Sequence, residues 1–158
     1  MARVAVVMGS ESDRPFMQNT IDVLQNMGIE CVHLVLSAHR NPEQVRDFGQ
    51  AARARGFEVI VAGAGGAAHL PGVIASWTTI PVIGVPLPTS ELRGIDALYA
   101  IVQMPAGIPV ATVAVGAAGA KNAGYLAAQI LGLKFDEIRR SYEEYRSQLS
   151  GRQEQPPG

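Results

Sequence analysis

Cysteine, histidine and charge are all scarce in this chain, and each shortage closes off a class of function. The single cysteine, Cys31, allows neither an intrachain disulfide nor a thiolate metal cluster. It lies in a run that reads as a strand, where a free cysteine serves as a small core hydrophobe rather than a nucleophile. The three histidines, His33, His39 and His69, include no pair at helical i, i+4 spacing with an acid, so no metal site is expected. His33 reads as structural. Thirteen Lys and Arg stand against 14 Asp and Glu. That balance lacks the basic excess wanted by nucleic acid or an anionic membrane surface, so neither is expected as a partner. Gly or Pro interrupts every long apolar run, so no membrane span is expected. No signal-peptide pattern precedes the first strand, and the cytoplasm is the expected compartment.

What the chain has in quantity is small and apolar: 47% hydrophobic residues, 17 glycines, and a charged fraction of only 17%. The usual charged share is about 25%, so other copies of the chain are expected to cover much of the surface. At 158 residues the chain has the length of one domain, able to bury roughly 70% of its unfolded surface without staples.

Apolar β-rich runs alternate with helical patterns as far as about residue 131. Strands are expected at residues 3–8, 30–36, 58–62, 81–85 and 111–115. Between them lie helical patterns. The first has Met17, Ile21, Leu24 and Met27 on one face and stops at Gly28. The second opens with Asn41 as N-cap, Pro42 at the first helical position and Gln44 at the third, and closes at Gly56. A short helix ends near Trp77, another covers residues 95–104, and an Ala-rich helix over 119–131 suits close packing. Strands separated by helices imply right-handed crossovers and an α/β fold: a three-layer αβα sandwich around a flavodoxin-like parallel sheet of about five strands. Residues 1–150 form one domain. In its last helix, residues 134–150, Phe135, Ile138, Tyr142, Tyr145 and Leu149 recur at spacings of 3, 4, 3 and 4. That stripe fits a helix packed on its own domain, or an arm laid on a neighbouring subunit. Residues 151–158, rich in Pro, Gln and Gly, read as a disordered tail.

Ligands of open parallel sheets bind beyond the carboxyl ends of the strands, and three consecutive strand ends here carry the unusual residues. After the first stand Gly9, Ser10, Ser12 and Asp13. Glycine lets the backbone approach a ligand, and hydroxyls with the free N–H groups of the following helix form a phosphate cradle. Asp13 can cap that helix or accept from ribose hydroxyls. After the second stand Ser37, Ala38, His39 and Arg40. Histidine titrates near neutrality and can move protons; arginine offers phosphate a permanent fork. After the third comes a run from Gly63 to Gly72 that includes Gly65, Gly66, Ala67, His69 and Leu70. It mimics the dinucleotide pattern G-x-G-x-x-A, but it follows the third strand, and no acid lies about twenty residues on to hold a ribose. No P-loop pattern occurs either. The run is instead a nest of backbone N–H groups suited to a carboxylate or a departing CO2. His69 ranks below His39 as the proton carrier and reads as an orienting residue.

Taken together, Met8-Gly9-Ser10-x-Ser12-Asp13, Ser37-Ala38-His39-Arg40, the unbroken run from Ala62 to Gly72, and Gln103-Met104-Pro105-x-Gly107-Ile108-Pro109-Val110 resemble a known family in order and spacing. The family is the N5-carboxyaminoimidazole ribonucleotide mutases, the class I form of the phosphoribosylaminoimidazole carboxylase catalytic subunit. The resemblance covers about residues 3–133, most specifically the Gly-rich run; the last helix and tail match only loosely. Arg40 after the histidine is similar to the class I form, because the animal-type carboxylase typically has lysine there.

The resemblance implies a cofactor-free, metal-free isomerase of purine biosynthesis that moves a carboxylate from the exocyclic nitrogen to ring carbon C4 of aminoimidazole ribonucleotide. It implies loss and recapture of a trapped CO2, with His39 as the single proton shuttle. Ser10, Ser12 and Arg40 would hold the phosphate, Asp13 the ribose, and the backbone of residues 65–69 the migrating carboxylate. It further implies a homo-octamer with sites at subunit junctions. A transient contact with the synthetase that makes the unstable carbamate is a further possible partner interaction. The rival readings are a carboxylase using free CO2, a non-catalytic flavodoxin-like nucleotide carrier, and a dinucleotide-dependent oxidoreductase, the last disfavoured by the missing acid.

Overall fold

Along the central strands successive side chains are buried on opposite faces, which requires a layer of helices on each side. The computed structural model, which describes residues 3–151, shows that arrangement. Its strands are β1 (Arg3–Met8), β2 (Glu30–Val35), β3 (Phe57–Gly65), β4 (Val82–Leu87) and β5 (Ala111–Thr112). Its helices are α1 (Arg14–Asn26), α2 (Pro42–Ala51), α3 (Leu70–Trp77), α4 (Ile95–Val102), α5 (Gly116–Gly132) and α6 (Asp136–Gly151). A single 3-10 turn, Glu11–Asp13, precedes α1. All strand pairs are parallel, in the order β2-β1-β3-β4-β5. This is the flavodoxin-like order, with its switch point between β1 and β3.

Each face of the sheet has its own core. Val4, Val6, Met8, Val59, Val61, Ile83 and Val85 point to α1, α5 and α6. Ala5, Val7, Ile60, Ala62 and Val82 point to α2, α3 and α4. Small residues bring α5 close to α1: a side chain on Gly124 would meet Val23 Cγ1 at 2.7 Å. The buried Thr20 hydroxyl donates to the Ala120 carbonyl at 2.7 Å across the same contact.

Several boundaries differ from the sequence-based expectation, each for a physical reason. β3 runs on through Gly65 because Gly63, Ala64 and Gly65 pair with Val85, Pro86 and Leu87. Small residues there leave room for the opposing layers, and β4 tolerates Pro86 near its carboxyl tip. β5 shrinks to two residues because it lies at the sheet edge and pairs only with β4. α4 stops at Val102, before Pro105. Asn41 occupies the N-cap position of α2, yet its side chain makes no capping hydrogen bond. Cys31 lies on the edge strand β2, half-buried against the core, and burial pushes its thiol pKa up. His33 is exposed on the same strand.

The apolar stripe of α6 is used within the chain. Ile138 is buried, and Phe135, Tyr142 and Tyr145 pack on the α1/α5 side of the core. Tyr145 stacks on Tyr125 of α5 with ring centroids 4.5 Å apart. Burial, with the neighbouring Tyr145 and Tyr142, pushes the Tyr125 phenol up to about 12. The helix extends through Gly151, the first residue of the expected tail; the rest of that segment, residues 152–158, lies outside the described residues.

Candidate active site

The carboxyl ends of β1, β2 and β3 are adjacent because the strands are, and the loops that leave them enclose one cleft of about 330 Å³. Its lining brings together Gly9, Ser10, Ser12, Asp13, Ser37, Ala38, His39, Arg40, Gly65, Ala67, His69 and Leu70. Of the residues singled out from sequence, only Gly66 stands outside the lining; its φ of 58° makes the turn that aims the loop. Ala64 and Ala68 line the cleft from within the expected Gly-rich run, whereas Thr89 lines it without having been anticipated. Ala68 also adopts a left-handed φ of 42°, rare for a residue with a side chain. Its amide closes the turn onto the Gly65 carbonyl at 3.0 Å.

The β1 loop is ordered by its own polar groups. The Ser10 amide donates to Asp13 Oδ2 at 3.0 Å, and the Ser12 amide donates to Ser10 Oγ at 3.3 Å. The Ser12 hydroxyl donates to Ser10 Oγ at 3.0 Å. Asp13 is buried, and desolvation raises its pKa above the usual carboxylate value despite that amide bond. Asp13 stands at the N-cap of α1 without a side-chain capping bond; its carboxyl instead holds the Ser10 amide, closing a capping box on the 3-10 turn, and the residue lines the cleft. Arg14 is occupied by Glu11, at 2.8 Å. Arg40, by contrast, has no carboxylate partner among the described residues and lies exposed at the cleft. In the β2 loop the Arg40 amide donates to Ser37 Oγ at 3.1 Å and the Asn41 amide to the Ser37 carbonyl at 2.8 Å. Ser37 thus orders the turn that leads into α2, and the Asn41 side chain adds no cap to the helix itself.

The two cleft histidines meet. His39 Nε2 lies 2.8 Å from His69 Nδ1, with the rings 84° apart and centroids at 4.9 Å. A hydrogen bond there needs one nitrogen protonated and the other bare, so the contact carries one proton between two rings. Either ring can be the donor, according to the tautomer. His69 precedes α3, and its carbonyl accepts the Val73 amide at 2.9 Å, which ties the ring to the helix start. Among the described residues no group of three His, Cys, Asp or Glu side chains is placed to hold a metal ion. No helix of the described chain is long and apolar enough to cross a membrane.

Comparison with known proteins agrees on one relationship. A family profile described as AIR carboxylase matches residues 3–152. The N5-carboxyaminoimidazole ribonucleotide mutase of Thermotoga maritima is 53% identical over 149 residues, covering 94% of this chain and 86% of its own. That of Saccharolobus solfataricus is 52% identical over 153 residues, covering 94% and 96%. The crystal structure of Treponema denticola PurE superimposes with a TM-score of 0.87 at 29% identity, covering 96% of this chain and 94% of the other.

Proposed function

This chain belongs to the AIR carboxylase family, and from that premise we propose how its cleft works as an isomerase of purine biosynthesis. The reaction converts N5-carboxyaminoimidazole ribonucleotide to 4-carboxy-5-aminoimidazole ribonucleotide. The phosphate is held by Ser10, Ser12 and the guanidinium of Arg40. The ribose hydroxyls donate to Asp13, and the carboxylate rests on the backbone of residues 65–69. The bond between the exocyclic nitrogen and the carboxyl carbon breaks to give CO2, and the nitrogen takes a proton. The electron-rich C4 then attacks the CO2 carbon, and the C4 proton leaves. One proton is gained and one lost, and nothing is oxidised, so the sequence of steps needs no redox partner.

His39 is the group that gives and takes those protons, with His69 fixing its tautomer. The observation that carries this reading is the 2.8 Å contact between the two rings inside the cleft that the three loops form. General acid–base catalysis of this kind is typically worth about 10²–10⁴-fold. Holding CO2 against the heterocycle supplies the effective concentration that a solvent-open site lacks.

The same reading makes the chain a cytoplasmic homo-octamer that receives its unstable carbamate from the synthetase that makes it. The homo-oligomer is supported by the outer face of α4 and the loop before it, where Leu92, Ile95, Tyr99 and Val102 are 64%, 53%, 62% and 47% exposed. Such a stripe is more apolar than a lone domain normally leaves in water. Contacts of α6 with neighbouring subunits would use its outer face, because its inner face is occupied by its own chain.

The test is conversion of N5-carboxyaminoimidazole ribonucleotide in buffer purged of bicarbonate. Turnover at an undiminished rate is expected. A rate proportional to added bicarbonate would instead identify a carboxylase that draws on free CO2.

A further inference from the structure

The chain beyond β4 also reaches the cleft. Thr89 lines it together with Ala64, Gly65 and His69. Its hydroxyl occupies the place of the side chain that Gly65 lacks: a Cβ there would lie 1.7 Å from Thr89 Oγ1. Glycine at 65 is therefore required by close approach, and the hydroxyl sits against the first residue of the backbone nest. Burial does not hold Thr89 there, because it and residues 91–93 are exposed. Hydrogen bonds do. The Ser90 hydroxyl donates to Asp96 Oδ2 at 2.6 Å and accepts the Leu92 amide at 3.2 Å, while the Arg93 amide donates to the Ser90 carbonyl at 3.0 Å. The turn then passes through two left-handed residues in succession, Arg93 at φ 53° and Gly94 at φ 92°. An exposed turn of that shape is under strain at Arg93 and needs an anchor. Asp96, in the first turn of α4, provides it, and the Ser90 hydroxyl in turn holds the Asp96 carboxyl below the usual carboxylate range.

We propose that Thr89 is a substrate-contacting residue whose hydroxyl donates to the migrating carboxylate, and that Asp96, acting through Ser90, is the positioning residue that keeps it there. The proposal rests on the reading of this cleft as the mutase site. The Thr89 hydroxyl has no hydrogen-bond partner among the described residues, so its proton is free for a ligand. Being uncharged, it adds a donor beside the nest without competing for the proton that His39 carries.

Thr89→Val removes the hydroxyl at constant shape. Its kcat/KM for N5-carboxyaminoimidazole ribonucleotide is expected to fall about 10–100-fold, the range for one lost hydrogen bond to a charged group. Affinity for aminoimidazole ribonucleotide, which has no carboxylate, is expected to stay unchanged. Thr89→Ser should restore activity. Asp96→Ala and Ser90→Ala should reproduce the Thr89→Val loss, Asp96→Asn should spare activity because it keeps an acceptor for Ser90, and Asp96→Ala with Thr89→Val should cost no more than either alone. If Asp96→Ala does not fold, Ser90→Ala carries the positioning test. Wild-type turnover with undiminished Thr89→Val activity, or an equal loss of affinity for the uncarboxylated nucleotide, would overturn the assignment of Thr89. A wild-type chain that does not turn over would overturn the reading of the cleft itself.

Discussion

Replacing Asp13 by asparagine separates what this residue does for the fold from what it does for the ligand. Its buried carboxyl accepts the Ser10 amide at 3.0 Å. Asparagine keeps an acceptor oxygen for that amide and removes the charge whose burial is unfavourable. Because desolvation raises the folded-state pKa above the ordinary 3.8, the folded protein binds this proton more tightly than the unfolded chain. The associated stability is fully present below the unfolded pKa and is lost as pH rises through the folded value. At neutral pH the wild-type chain therefore carries a penalty that Asp13→Asn lacks. The thermal midpoint of Asp13→Asn should equal or exceed that of the wild type at pH 7, and its advantage should shrink toward pH 4. Asp13→Ala instead orphans the Ser10 amide, at a cost of about 0.5–2 kcal/mol, which lowers the midpoint by about 2–4 °C per kcal/mol in a domain of this size. Ribonucleotide binding should move the other way. Loss of a charged acceptor for ribose hydroxyls costs about 1.5–3 kcal/mol, or roughly 10–100-fold in Kd by calorimetry. An asparagine variant that is destabilised like alanine at pH 7, or that binds ribonucleotide as tightly as wild type, would refute the reasoning.

Arg40→Ala should weaken ribonucleotide binding by about 10–100-fold through loss of a charge-assisted phosphate contact, with a shallower salt dependence; an unchanged Kd would remove Arg40 from the phosphate site. Ile138→Ala, at a position only 3% exposed, should cost about 2–5 kcal/mol in denaturant unfolding and speed amide exchange in α6, whereas a cost under about 1 kcal/mol would mean that α6 is not held by this contact. Turnover should survive exhaustive dialysis against a chelator, and restoration of lost activity by a divalent metal would contradict the cofactor-free scheme.

The layered fold was legible because the central buried strands announce themselves as apolar runs, the start of α2 is marked by Pro42 and the stop of α1 by Gly28; α2, by contrast, ends at Ala51, and Gly56 closes the turn that follows it. The site was legible for a related reason: the order of strands places three successive loops on one edge, so their polar residues had to meet. What the sequence concealed depends on contacts across the fold. Nothing near Thr89 marks it as lining the cleft; the only trace is Gly65, whose missing side chain makes room for it. The His39–His69 contact joins residues thirty positions apart, beyond any local pattern. Asn41 carries the residue type of a cap and stands at the N-cap position, yet its side chain makes no capping bond, because residue type alone does not set the side chain's orientation.

The account turns on the His39 imidazole as the group that exchanges protons with the heterocycle. The most direct measurement is single-turnover kinetics of His39→Asn alongside its affinity for aminoimidazole ribonucleotide. The chemical step is predicted to slow by about 10²–10⁴-fold while the nucleotide still binds within a few fold of wild type. A variant that binds normally and still turns over at a comparable rate would contradict it.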